Sequence, residues 1–292
     1  MSYNICIVKP KNNPHSDAFW EMAELLAYSL RDLNQDTSIC INEILGIRQN
    51  ILLGAHLLTD TNNLPSSTII INTEEMRFGL SDIDELETEK LKWVERIVSL
   101  GKEHLIWDYS DDNIEFLNSK GCLKIKKFEF GFHEKLNRIS QQKHKDIDVL
   151  FYGHITPDRK EYLDYISESG IFLKNVGHST EISGLSVEEL TKIVSRSKIV
   201  LQLSKTRTNS VLNYESERAF RFYYQFKGRM IIAGYIGSAC VAEYAPGTEL
   251  VFSEDELPTF YTKEECVKIL KKILNDEDLL KMHTNKLNLK VN

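Results

Sequence analysis

Short runs of β-branched and other apolar residues alternate along this chain with segments whose apolar positions recur every three or four residues. Ile5 to Val8 is a compact apolar run that predicts a strand. From Ser16, apolar residues fall at Phe19, Met22, Ala23, Leu26, Leu30 and Leu33, the spacing of an amphipathic helix. Strands are predicted at Ser38 to Ile41, Ile51 to Leu53 and Thr68 to Ile71; the last two are almost wholly apolar, as in parallel strands covered on both faces. Leu86 to Leu100 reads as a charged helix with Leu91, Val94, Ile97 and Val98 inward. Leu105 to Trp107 is a strand, and Ser110 is placed to cap a helix from Asp111 to Asn118. This order predicts an open parallel sheet with helices on both faces.

The polar stretch from Ile139 to Asp146 reads as a linker, after which a second α/β pattern begins. A strand from Asp148 to Gly153 is followed by a helix from Pro157 to Ser169 and a strand at Ile171 to Leu173. Ser186-Val-Glu-Glu189 is a capping box ahead of the next helix. The pattern then predicts a strand at Ile199 to Leu203, a helix from Glu215 to Phe226 ended by Gly228, strands at Met230 to Ala233 and Leu250 to Phe252, and two charged helices from about Lys263. The expectation is an α/β protein of two similar domains, residues 1–140 and 146–275, facing across a cleft, with 276–292 as a closing helix. Ligands in such sheets sit at the carboxyl ends of the strands.

Composition narrows the function classes. The 292 residues are 42% hydrophobic and 27% charged, the balance of a folded globular chain. A formal net charge of -7 argues against non-specific nucleic-acid binding, which needs a basic surface. No apolar run approaches the roughly 20 residues of a membrane span, so any membrane contact would be peripheral. The five cysteines form no CxxC pair, and Cys6 and Cys40 read as reduced core residues, which suits the cytoplasm.

Three local patterns carry candidate chemistry. In Phe151-Tyr-Gly-His-Ile-Thr-Pro-Asp-Arg-Lys160 a buried strand ends at Gly153, Thr156 can cap, and Pro157 suits a first helical turn. The amides of that turn with Arg159 and Lys160 would make an anion site. An ordinary strand-to-helix turn with solvated cations would have the same sequence. Leu201 to Thr208 runs from a strand into a loop holding Lys205 and Arg207, two more cations for a diphosphate or simply a surface loop. Glu215 and Glu217 open a predicted helix, where a carboxylate can cap the macrodipole or accept both hydroxyls of a ribose. Neither GxxxxGK[ST] nor GxGxxG occurs.

With these pieces the second half resembles the donor domain of GT-B glycosyltransferases, in particular the bacterial group described as glycosyltransferase family 1 or spore-protein-like glycosyltransferases. The matching segments are Asp148 to Gly153 with Arg159 and Lys160, Ser197 to Leu203, Glu215 to Gly228, and Val241 to Leu250. The resemblance covers roughly 146–275; Pro14 to Phe19, Asn50 to His56, Ile71 to Glu74 and Ile106 to Ser110 extend it weakly to the acceptor domain. It implies two Rossmann-like domains and transfer of a sugar from a nucleotide sugar to a hydroxyl acceptor, with bacterial surface glycan assembly as a pathway. It also implies donor roles for Gly153, His154, Arg159, Lys160, Lys205, Arg207 and either Glu215 or Glu217. Glu215 and Glu217 lack a partner eight residues upstream, so the stereochemical outcome stays open. A non-catalytic nucleotide-sugar-binding module and a GT-B-like sugar epimerase are the alternatives.

His15, Glu74 and Asp108 follow predicted strands and are the candidates for general acid-base work, with His56 and Glu75 nearby in type. A loop residue bonded to backbone is the plain alternative for each. Asp82-Ile-Asp84 matches a metal-binding DxD pattern, but its place at a helix start explains it better. No metal and no cofactor are expected; the nucleotide sugar enters as substrate.

Overall fold

The computed structural model describes residues 2–11, 16, 19–74, 76, 85–128, 131, 133–136, 144–153, 155–176, 187–203, 228–245 and 248–291. They form two compact units, the first running to Leu136.

The first unit holds β1 (Ser2–Ile7), α1 (Trp20–Asp32), β2 (Asp36–Ile41), β3 (Gln49–Leu53), β4 (Ile69–Asn72), α2 (Glu85–Glu103), β5 (Leu105–Asp108), α3 (Asp111–Ser119) and β6 (Ile125–Lys127). All strands pair in parallel, in the order β2-β1-β3-β4-β5-β6. Successive residues of a strand face opposite sides of the sheet, so an unbroken apolar run feeds two cores. Ile5, Ile7, Ile51, Leu53, Ile69 and Ile71 pack on one side with Ala23, Leu26 and Ala27 of α1. Cys6, Leu52, Ile70 and Ile106 pack on the other with Val94, Ile97 and Leu100 of α2 and Leu117 of α3. Ser110 caps α3 as expected, its side chain accepting from the Asn113 amide. The first helix begins at Trp20 rather than Ser16, and Leu91 is exposed rather than inward. Strand β6 was not expected: its sequence Ile-Lys-Lys has too few apolar residues to signal an edge strand.

The second unit holds β7 (Ile147–Phe151), α4 (Pro157–Glu168), β8 (Leu173–Asn175), α5 (Val187–Ser195), β9 (Ser197–Gln202), α6 (Gly228–Ile236), β10 (Ala239–Glu243), α7 (Thr248–Val251), β11 (Thr259–Phe260), α8 (Lys263–Leu274) and α9 (Glu277–Val291). Its parallel sheet has the order β11-β10-β9-β7-β8. Val149, Phe151, Ile199, Leu201, Ala239, Val241 and Phe260 form a core with Tyr162, Leu163 and Ile166 of α4 and Cys266, Leu270 and Ile273 of α8. Thr156 and Thr262 cap α4 and α8. The end of the expected linker is tied down. Lys145 Nζ donates to the carbonyls of Ser197 (2.9 Å) and Ser195 (3.3 Å) and to Ser238 Oγ (2.9 Å), and burial pulls its ammonium down to about 8. Asp146 pairs with Arg196.

Two expected strands are helices. Met230 to Ala233 lies inside α6, and Gly228 begins that helix instead of ending one. A short apolar run does not distinguish a strand from a helix buried on all sides. Here α6 is enclosed by β9 and β10 on one side and α5 and α9 on the other, while the strand position falls to Ala239–Glu243. Leu250 to Phe252 likewise overlaps α7. The strand expected at Ile171 to Leu173 runs from Leu173 to Asn175. The expected Glu215 to Phe226 helix, Ser186 and the Asp82-Ile-Asp84 motif lie outside the described residues.

Gly234 is the notch that lets α9 approach α6. A Cβ there would lie 2.7 Å from Leu287 Cγ, 3.0 Å from the Leu287 carbonyl oxygen and 3.1 Å from Val291 Cγ2. In an open helix Gly→Ala gains about 1 kcal/mol of propensity. Gly234→Ala should instead lower the urea midpoint, and Gly234→Val should lower it further; a midpoint raised by the alanine would refute the tight packing.

Candidate functional site

In the second sheet the strand order reverses between β7 and β9, because β8 lies on one side and β10 and β11 on the other. Such a switch point opens a crevice at the carboxyl ends of the strands. Gly153 follows β7 there, Leu203 follows β9, and α4 and α6 begin there, since each helix returns from the carboxyl edge to the next strand.

The capped turn of α4 has fewer free amides than its sequence promises. Pro157 has none, the Arg159 N–H goes to Thr156 Oγ1 (3.3 Å), and the Lys160 N–H goes to the Thr156 carbonyl (2.9 Å). Lys160 is exposed and pairs with Asp164 one turn along. Positive charge comes instead from two guanidinium groups. Arg159 is 5% exposed; its Nη2 donates to the Leu203 carbonyl (2.6 Å), and its guanidinium lies 5.6 Å from the Phe151 ring centroid. Arg229, in the first turn of α6, donates through Nη1 to Gln202 Oε1 (2.8 Å) and lies over Phe151 (5.3 Å) and Tyr152 (5.1 Å). Gln202 Nε2 also donates to the Leu203 carbonyl (2.9 Å), so both cations share one frame at the end of β9. Burial, with the like charge of Arg229, lowers the Arg159 guanidinium to about 9, while Glu243 opposes the shift. Burial lowers Arg229 too. Among the described residues no carboxylate pairs with Arg229. Two desolvated cations this close are relieved by an anion.

Gly153 explains how Arg229 fits. Its φ is +112°, which favours glycine, and a Cβ on it would overlap the Arg229 guanidinium. Sequence reasoning found Gly153 and Arg159 but not Arg229, because reading 230–233 as a strand moved Arg229 away from the carboxyl edge. The arginine next to Gly228 was the available signal. His154, Lys205, Arg207, Glu215 and Glu217 lie outside the described residues.

In the first unit the carboxyl edge is acidic. Asp108 ends β5 and is fully buried. Its Oδ2 accepts from Asn72 Nδ2 (2.7 Å), and its Oδ1 accepts from the Ser110 amide (2.9 Å) and Asn113 Nδ2 (3.2 Å). Burial raises its carboxyl from the ordinary 3.8 to about 6 against those bonds. The same two asparagines hold the segment after β4. Asn72 Nδ2 and Asn113 Nδ2 each donate to the Glu74 carbonyl (2.9 Å), the Glu74 N–H donates to Asn72 Oδ1 (3.2 Å), and the Met76 N–H donates to Asn113 Oδ1 (3.0 Å). Asp108 therefore anchors the frame, and Glu74 stands on it with its side chain one-third exposed. His56, after β3, is buried with Nε2 3.6 Å from Glu74 Oε1, and its ring lies 4.8 Å from Trp93 and 6.3 Å from Phe19. Burial lowers its imidazolium, with Arg96 adding and Glu74 opposing. His15 and Glu75 lie outside the described residues. Among the described residues no three His, Cys, Asp or Glu side chains gather as metal ligands. No described helix is long and apolar enough to cross a membrane.

Asp108 sets a pH signature. Below about pH 4 folded and unfolded chains both carry its proton; as pH rises toward 6 the unfolded chain sheds it and the folded chain keeps it. This group's contribution therefore falls between those values and is level above them. Asp108→Asn should remove that slope, seen as the wild-type minus variant difference in urea-derived stability. It should also cost about 1–3 kcal/mol at pH 7, because an amide meets the Asn72 and Asn113 donors with one acceptor instead of two. A difference independent of pH would refute the buried carboxyl.

No family model matches the sequence, and no curated sequence matches it significantly. Solved structures do match its fold. AviGT4, a glycosyltransferase involved in avilamycin A biosynthesis, aligns with 100% of this chain and 94% of its own at 10% identity and a TM-score of 0.59. HepE of Anabaena in complex with UDP-glucose aligns with 99% of this chain and 94% of its own at 12% identity and a TM-score of 0.57. Sucrose-phosphate synthase of Thermosynechococcus elongatus aligns over the same shares at 10% identity and a TM-score of 0.56. At such identities the likeness is one of fold: two parallel α/β units, the GT-B architecture of these glycosyltransferases.

Proposed function

We propose that this chain is a glycosyltransferase that moves a sugar from a nucleotide-sugar donor to a hydroxyl acceptor, with glycan assembly in the cytoplasm as the setting the sequence resemblance implies. The observation that carries the proposal is the pair of guanidinium groups, Arg159 and Arg229, framed by Gln202 and Leu203 at the switch point beside Gly153. Two cations suit a diphosphate, which departs with a growing negative charge as the glycosidic bond breaks. Fixed cations in a desolvated site stabilise that charge without reorganisation. The start of α6 adds the positive end of a helix dipole at the same edge. Lys205 and Arg207 are assigned further diphosphate contacts, Glu215 or Glu217 the donor ribose, and Gly153 with His154 close approach of the donor. On this reading the protein side chains do the work of a metal, and no cofactor takes part. The UDP-glucose bound in HepE supports the donor class.

Three measurements test the reading. Thermal-shift titration with UDP, GDP and their sugars should raise the melting temperature for one base; a ligand at 100 times its Kd adds about 2.7 kcal/mol. No response to any nucleotide would overturn the proposal. Arg229→Ala should weaken nucleoside diphosphates by about 10- to 100-fold, the equivalent of about 1.5–3 kcal/mol for hydrogen bonds to a charged group, and leave the nucleoside unchanged. Equal losses on both would remove Arg229 from the diphosphate site. Turnover should survive EDTA; loss of activity on chelation with recovery on adding a divalent cation would refute metal independence. Binding without release of free nucleotide would favour the non-catalytic module.

A further inference from the structure

Two of the five cysteines face each other across the first sheet. Cys6 of β1 and Cys40 of β2 are register partners on adjacent parallel strands, so their side chains stand on the same face. Cys6 belongs to the buried core on that face; Cys40 packs at its margin and is the one cysteine of the five that is not buried. Their thiols are in hydrogen-bond contact. Burial raises the Cys6 thiol to about 12, Cys40 adds to the shift through its charge and its hydrogen bond, and the backbone amides of Glu43 and Asn42 oppose it. Cys40 Sγ also donates toward the Glu43 carbonyl (2.9 Å) and Asn4 Oδ1 (3.2 Å). The turn after β2 is thus held in part by a thiol. That turn in its own right holds the start of the segment after β1: the Lys9 N–H donates to Asn42 Oδ1 and Asn42 Nδ2 donates to the Lys9 carbonyl, both at 2.7 Å.

Neighbouring strands lie about 4.8 Å apart, inside the roughly 4.4–6.8 Å over which a disulfide joins two Cα atoms. Among the described strands β2 pairs with β1 alone, so it can close on β1 without breaking a second ladder. We propose that Cys6 and Cys40 are a redox modification site, a dithiol that a peroxide converts to a reversible Cys6–Cys40 disulfide. The half-exposed Cys40, as thiolate, attacks one peroxide oxygen and breaks the O–O bond; the products are the Cys40 sulfenic acid and, with the proton the thiol released, water. The Cys6 sulfur then attacks the Cys40 sulfur. The S–S bond forms, and the displaced hydroxide takes the Cys6 proton and leaves as a second water. Two thiols are oxidised and one peroxide is reduced. Oxidation of Cys40 removes the charge that opposed ionisation of Cys6 and leaves the two amides that favour it. The disulfide has no S–H, so the Glu43 carbonyl and Asn4 Oδ1 lose that donor and the turn from Asn42 to Arg48 loosens.

The test is intact-mass spectrometry and peptide mapping of the full chain treated with hydrogen peroxide, before and after dithiothreitol. The treated chain should lose two hydrogens, two of its five thiols should resist alkylation after unfolding, and mapping should link Cys6 to Cys40. Dithiothreitol should restore all five. Cys6→Ser should stop at a Cys40 sulfenic acid that dimedone labels, and Cys40→Ser should give neither label nor disulfide. Amides of residues 42–48 should exchange hydrogen several-fold faster in the oxidised chain. Five free thiols after peroxide, a link to any other cysteine, or a Cys40 sulfinic acid without a disulfide would overturn the site. A Cys6–Cys40 disulfide with unchanged exchange would overturn its coupling to the turn.

Discussion

A parallel sheet covered on both faces has no polar surface except at its strand ends, and that constraint arranges everything else in this protein. Strands such as Ile51–Leu53 and Val149–Phe151 are apolar throughout because each side faces a layer of helices. Chemistry can be placed only where a strand stops, and a charge placed there is partly desolvated. It then needs fixed partners, since an unpaired buried charge is costly. Asp108 meets the requirement with three donors, and Arg159 and Arg229 meet it with the carbonyl of Leu203 and the amide oxygen of Gln202.

The two units use the same device with opposite sign. In the first, a buried acid fixes two asparagines, and these in turn present an acidic side chain. In the second, neutral acceptors at the end of β9 present cations. Each arrangement spends fixed polar contacts on holding a charged group still, which is how preorganised sites are built.

The sequence made the layer order legible because two-sided burial writes itself as uninterrupted apolar runs, and the caps at Ser110 and Thr156 were written as single residues. It was less informative where an apolar segment is packed from several sides. The run Met230 to Ala233 has no polar face, so its period is silent; only the enclosure by α5, α9 and the sheet makes it helical. Edge strands β6 and β11 are short or polar and signal weakly for the opposite reason. Of the candidate site, Gly153, Arg159, Glu74 and Asp108 stood out by following apolar runs. Arg229 did not, because its role depends on the helix that was misread, and Asn72 and Asn113 did not, because an asparagine's two-sided bonding is visible only in three dimensions.

Gly153 has a consequence for tracing function among divergent chains of this fold. The cations beside it can be exchanged for one another in composition without much trace, and a count of basic residues would register little if the site were lost. The glycine admits less trade, because at a φ of +112° any other residue is strained, whatever the space around it. A Cβ there would also push the Arg229 guanidinium aside. A chain that keeps its arginines but has a side chain at this point would hold the same charge in a displaced place, a change that a count of basic residues does not register.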